Sequence, residues 1–255
     1  RCSFAVALIL AAQVPCVDAR GDEPAANSAS ATKLRVAAVQ MRSTRDLSAN
    51  IQKIDEHLAR CAKEGVKVAV FPECALTGYF DDDFMRAITK ERLNDAERRV
   101  AESCRKHHIY AIIGTPYRDG DRLYNSATVI TPQGEILARY HKIQLAESWP
   151  VAGNEPVVFK IDGVPASIII CHDERYPELV RLPVLAGSRL VFYLSHESGL
   201  GKESKIVPYR AQVQARAVEN SVYVVQANAP ANTDATGSHG QSRLVAPDGN
   251  LIQEA

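Results

Sequence analysis

The chain has no excess of charge of either sign, since 30 Lys and Arg stand against 30 Asp and Glu in 255 residues. With both signs interspersed, this balance removes the usual electrostatic case for nucleic acid or an anionic membrane surface as the main partner. The N-terminal apolar run, Phe4 to Val14, falls short of the roughly 20 residues that a membrane-spanning helix requires. Metal and disulfide patterns are also missing. The six cysteines contain no C-x-x-C pair and no histidines at ligand spacing, so neither a zinc site nor a disulfide scaffold is implied. His196-Glu197 lacks the second His of a metalloprotease helix, and Gly199-Leu200-Gly201-Lys202 lacks the rest of a phosphate-binding loop.

What the sequence does contain is one large domain behind a short leader. Arg1, the apolar run and the small residues of Val17-Asp18-Ala19 read as a secretory signal over residues 1–19, and a buried hydrophobic helix is the competing reading. A lipoprotein reading at Cys16 is weakened by Pro15. Residues 20–32, rich in Ala, Ser and Asn, form an expected flexible linker, and 33–255 form the domain. An exported location, periplasmic or extracellular, follows as an expectation. Removing Cys2 and Cys16 with the leader leaves Cys61, Cys74, Cys104 and Cys171.

From Lys33 onward, strand and helix patterns alternate, which marks an α/β protein. Strands are expected at Leu34 to Val39, Val66 to Phe71 and Ile109 to Gly114, with helices at Asp46 to Lys63 and Thr89 to His107. Hairpins follow around Thr131-Pro132-Gln133-Gly134 and Asp162-Gly163. A helix at Pro177 to Ala186 leads to a strand at Arg189 to Leu194, and one from about Glu203 to Asn220 leads to Val222 to Gln226. Val129 to Leu137 also resembles Leu244 to Ile252, and this second hairpin is expected to be cut off at Ala255.

Functional groups in α/β proteins gather where strands end. Three strand ends carry candidates: Glu73 after Phe71-Pro72, Lys142 after Tyr140-His141, and Cys171 after Ile168-Ile169-Ile170. Taken singly, each has an ordinary explanation as a loop carboxylate, a surface charge or a buried thiol. A thiol with a reference pKa near 8.5 needs a base or cation to become a nucleophile at neutral pH, and Glu73 and Lys142 could serve.

Phe71-Pro72-Glu73 with Leu76-Thr77-Gly78-Tyr79, Tyr140-His141-Lys142-Ile143, and Cys171-His172-Asp173-Glu174-Arg175-Tyr176-Pro177-Glu178 together resemble the three signature segments of the nitrilase superfamily of carbon–nitrogen hydrolases. The resemblance covers about Lys33 to Ala255. It implies a four-layer α-β-β-α sandwich, with Glu73 as general base and acid, Cys171 as nucleophile and Lys142 as the cation facing the tetrahedral intermediate. Glu147 matches a second active-site glutamate, and Glu155 is the competing choice. Tyr79, Trp149, His172 and His196 are candidate substrate-binding residues, whereas Arg175 reads as a structural ion-pair partner. His172 is discounted as the base because neighbours on an extended strand point to opposite faces.

The implied activity is hydrolysis of a small amide or N-carbamoyl compound without metal or organic cofactor, in a homo-oligomer. Nitrile hydrolysis and acyl transfer are alternatives on the same triad. An inactive secreted binding protein is the alternative of another class.

Overall fold

The computed structural model describes residues 33–198, 206–230 and 238–255. The expected signal and linker, the start of the helix at Glu203 and the Gly199 to Lys202 segment lie outside the described residues.

Two mixed β-sheets lie face to face, each covered by helices on its outer side. The first sheet has the order β1-β2-β3-β4-β5, from Val36–Ala38, Val68–Val70, Tyr110–Asp119, Arg122–Ile130 and Ile136–His141. Its outer face carries α1 (Leu47–Lys63) and α3 (Lys90–His107), with a short α2 (Asp82–Ala87) between them. The second sheet has the order β11-β10-β9-β8-β7-β6, built from β6 (Val158–Ile161), β7 (Val164–Ile170), β8 (Leu190–Ser195), β9 (Tyr223–Asn228), β10 (Arg243–Val245) and β11 (Leu251–Glu254). Helices α4 (Glu178–Leu185) and α5 (Ile206–Asn220) cover it.

Period-two alternation within the strands builds the layers. Val36 and Ala38 join Ile112, Ile168, Phe192 and Val225 in the apolar seam between the sheets, while Ala37 and Val39 face α1 and α3. Ile54 and Leu58 of α1 and Val100 and Cys104 of α3 are fully buried against that outer face. Helix boundaries follow capping chemistry. The Asp46 side chain accepts from the Ser48 and Ala49 N–H groups, and Thr89 caps α3 by accepting from Arg92.

The resemblance between the two hairpin sequences extends to their geometry. Ile130 pairs with Ile136 and Val245 with Leu251, each beside a shift in register. Their turns make matching backbone bonds, Thr131 N to Glu135 O at 2.8 Å and Ala246 N to Asn250 O at 2.9 Å. One long hairpin escapes the sequence reading. β3 continues to Asp119 and returns as β4 from Arg122, past the point where Gly114 suggested an end.

Candidate active site

Glu73, Lys142 and Cys171 all follow strand ends, and glycines clear the space that two of them need. A Cβ on Gly114 of β3 would lie 2.3 Å from the Pro72 carbonyl oxygen and 2.7 Å from the Glu73 Cα, so the turn carrying Glu73 can rest on β3 only at a glycine. Gly153 plays the same part beside Lys142. Its N–H donates to the Lys142 carbonyl at 2.8 Å, and a Cβ there would meet the His141 carbonyl oxygen at 2.3 Å.

The Lys142 side chain is fully buried between two carboxylates. Its Nζ donates to Glu73 Oε1 at 2.9 Å and to Glu147 Oε1 and Oε2 at 3.1 and 2.9 Å. Burial, the largest single influence, opposes the charge, but Glu73, Cys171 and Glu147 together outweigh it and hold Lys142 well above the usual lysine range. Burial likewise opposes ionisation of Glu147, yet Lys142, Asn125 and the Ala146 N–H hold that carboxyl below its ordinary range. The flanking carboxylates thus favour the charged form of Lys142. Glu147 enters this cluster while the competing Glu155 stays exposed.

Asn125 of β4 is the member that sequence reasoning missed. It is fully buried, and its Nδ2 donates to Glu73 Oε1 at 2.8 Å and to Glu147 Oε1 at 2.5 Å. Glu73 Oε2 accepts instead from the His196 backbone N–H at 3.0 Å. The available signal was a run of polar residues, Asn125, Ser126 and Thr128, in a strand where every one of them is buried.

Cys171 stands at the end of β7 with φ of 44°, in the left-handed region that a non-glycine residue rarely adopts. It opens a 3₁₀ turn, Cys171–Arg175, well before α4. That turn overturns the premise used to discount His172: residues 171 and 172 are not neighbours on an extended strand, and both line one cavity of about 290 Å³. Burial and then the Glu73 charge push the Cys171 thiol well above its ordinary range, while Lys142 and the His196 N–H act in the opposite direction. The balance of these influences favours the neutral thiol over the thiolate. All four described cysteines are free.

Asp173 ties the turn to the Lys142 segment. Its carboxyl accepts from the Tyr140 hydroxyl at 2.8 Å and from the N–H groups of Gln144 at 2.8 Å, Ile170 at 3.0 Å and Ile143 at 3.3 Å.

Tyr79 and His196 stack with ring centroids 4.8 Å apart and border the Cys171 cavity. The same pair borders a second space of about 60 Å³ that reaches Glu73. Trp149 departs from its expected place. It is buried with Cys74, Met85 and Leu123, Tyr79 packs against that cluster, and it borders neither space. Arg175, expected as a structural ion-pair partner, is exposed at the Cys171 cavity, which the Tyr209 side chain also borders.

A family profile described as carbon-nitrogen hydrolase matches residues 35–255. Omega-amidase NIT2 of Danio rerio is 28% identical over 240 residues, covering 88% of this chain and 84% of that protein. The 2-oxoglutaramate amidase of Bacillus subtilis is 27% identical over 213 residues, covering 81% of this chain and 80% of its own. Among solved structures, an amidase from Nesterenkonia sp. superposes with a TM-score of 0.80 at 28% identity, covering 87% of this chain and 86% of that one. The same fold, the family match over the whole described domain and the shared length place this chain in the carbon–nitrogen hydrolase family.

Proposed function

We propose that the chain hydrolyses a small amide or N-carbamoyl compound through a thioester on Cys171. The observation that carries this reading is the burial of Lys142 at 2.9 Å from Glu73, beside a thiol poised on a strained turn at a cavity wall. Glu73 takes the Cys171 proton as sulfur attacks the carbonyl carbon, and Lys142 faces the oxyanion. The His172 backbone N–H is the second donor proposed for that oxygen. The C–N bond then breaks, and the departing nitrogen takes the proton from Glu73. Water next loses a proton to Glu73 as its oxygen attacks the thioester, and the C–S bond breaks with return of the proton to sulfur. Glu147 and Asn125 hold Lys142 and Glu73 in register.

Tyr79, His172 and His196 are proposed to contact the substrate, since all three border the Cys171 cavity. Stoichiometric labelling of Cys171 by a thiol reagent, measured with and without amide, tests the site: amide should protect it and release ammonia. Labelling indifferent to every amide offered would contradict the reading.

The N-terminal sequence supports export as a further proposal. Residues 1–32 fused to a reporter should carry it out of the cytoplasm, and retention inside would refute that.

A further inference from the structure

Glu197 stands two residues past the end of β8 and directly after His196, whose backbone N–H donates to Glu73 Oε2 at 3.0 Å. It is 1% exposed and borders neither space at the site, so it reaches no substrate there, and the proposed mechanism gives it no part. Four side chains nevertheless converge on its carboxyl. Oε1 accepts from Gln226 Nε2 at 2.7 Å and from the Tyr193 hydroxyl at 3.0 Å, while Oε2 faces His239 Nε2 at 2.5 Å and Asn228 Nδ2 at 3.5 Å.

A buried carboxylate with its donors adds little stability, because the bonds repay a desolvation cost that an apolar side chain would not incur. What such bonds supply is rigidity. This point of the chain needs it. The last register pair of β8 and β9 is Ser195 with Asn228, and beyond it the His196 N–H turns to Glu73, which follows a strand of the other sheet. The Glu197 N–H donates to Asn228 Oδ1 at 3.1 Å, so backbone and carboxyl together tie the residue after His196 to β8 and β9, and His239 adds a tie to the segment leading to β10.

Resting on the amidase reading above, we propose that Glu197 is a positioning residue: its carboxyl fixes the segment after β8 so that the His196 N–H stays on Glu73 Oε2 while Glu73 takes the Cys171 proton. Glu197 then acts through His196 and touches neither the substrate nor the reacting atoms. Its loss should slow the acylation of Cys171 and leave substrate binding nearly unchanged.

The test offers acetamide, propionamide and butyramide to the full chain and follows acylation of Cys171 after rapid mixing, steady-state ammonia release, and hydrogen exchange at the His196 amide. Glu197→Ala should lower the acylation rate and kcat at least about tenfold with KM within about twofold, as expected when a reacting group is displaced and no binding contact is lost. Exchange at His196 should accelerate by about tenfold or more in parallel. Glu197→Gln, which keeps the shape and one acceptor oxygen, should lose less of each. Ile54→Val, a methyl removed from the fully buried face of α1, should lower stability with kcat and His196 exchange unchanged, which separates positioning from general loosening. A fall in kcat with His196 exchange unmoved would overturn the assignment and leave the amidase reading standing. Should Glu197→Ala not fold, Glu197→Gln decides alone, and acylation at the wild-type rate would overturn the assignment in the same way. No acylation and no ammonia from any of the three amides in the wild type would overturn the amidase reading together with it.

Discussion

The backbone N–H of His196 donates to Glu73 Oε2 at 3.0 Å across 123 residues of sequence, joining the end of a strand in one sheet to a turn leaving the other. This bond divides the work of the Glu73 carboxylate. Oε1 is occupied by Lys142 and Asn125, so in the proposed mechanism Oε2, on the side of the His196 N–H that also faces the Cys171 thiol, is the oxygen that takes the proton.

Asn125 should therefore act as a positioning residue. Asn125→Leu removes the donor shared by Glu73 and Glu147, and kcat for an amide substrate should fall by about 10- to 100-fold, the equivalent of about 1.4–2.7 kcal/mol of transition-state stabilisation. Steady-state kinetics on folded protein checks this. The effect should fall mainly on kcat, with KM changed less.

Gly114 tests whether backbone approach sets the site. Gly114→Ala should lower both stability and activity, because its Cβ would press within 2.3 Å of the Pro72 carbonyl oxygen and within 2.5 Å of the Cys74 nitrogen. A loss of roughly 1–3 kcal/mol is expected for such overpacking, measurable by urea denaturation, with a fall in kcat as the Glu73 turn shifts.

Asp173 holds the Cys171 turn to the Lys142 segment. Asp173→Ala strands the Tyr140 hydroxyl and three backbone N–H groups in the interior. The expected loss is about 2–4 kcal/mol of unfolding free energy, since each unsatisfied buried donor costs about 1–3 kcal/mol before relaxation. Denaturant unfolding at neutral pH measures it.

His141 gives the fold an acid-sensitive point. Burial, with Arg139 adding to it, pushes its imidazole down from 6.5 to about 4, while the ring stacks on Tyr124 and contacts the Ser126 hydroxyl at 2.7 Å. The folded value is the lower one, so between about pH 6.5 and 4 the unfolded chain binds the extra proton. Stability should fall as pH drops through that window. Comparison of unfolding curves for the wild type and His141→Gln isolates this contribution: the variant should lose less stability over that range, despite starting lower at pH 7.

The parts of the fold that were legible in sequence are those governed by local periodicity. Ile51, Ile54 and Leu58 marked α1, and the apolar runs before Glu73 and Cys171 marked strand ends. The long β3–β4 hairpin was not legible. Pro116 and the polar Asn125 interrupt the pattern, and pairing across the sheet, including Pro116 opposite Asn125, overrides local preference. Cys171 was legible as a strand-end thiol, but its left-handed backbone was not; the Asp173 carboxyl that accepts locally from Ile170 also accepts from Tyr140 and Gln144 in a distant segment, and no local spacing marks those partners. Trp149 was a pocket-wall candidate in the sequence, with ordinary packing as the alternative. Its partners Met85 and Leu123 come from distant segments and draw it into the core.

Intact-protein mass spectrometry after rapid mixing with an amide substrate tests the central claim most directly. The proposed mechanism predicts a transient acyl adduct that maps to Cys171, and neither adduct nor ammonia from Cys171→Ala. Ammonia release by Cys171→Ala at the wild-type rate would contradict it.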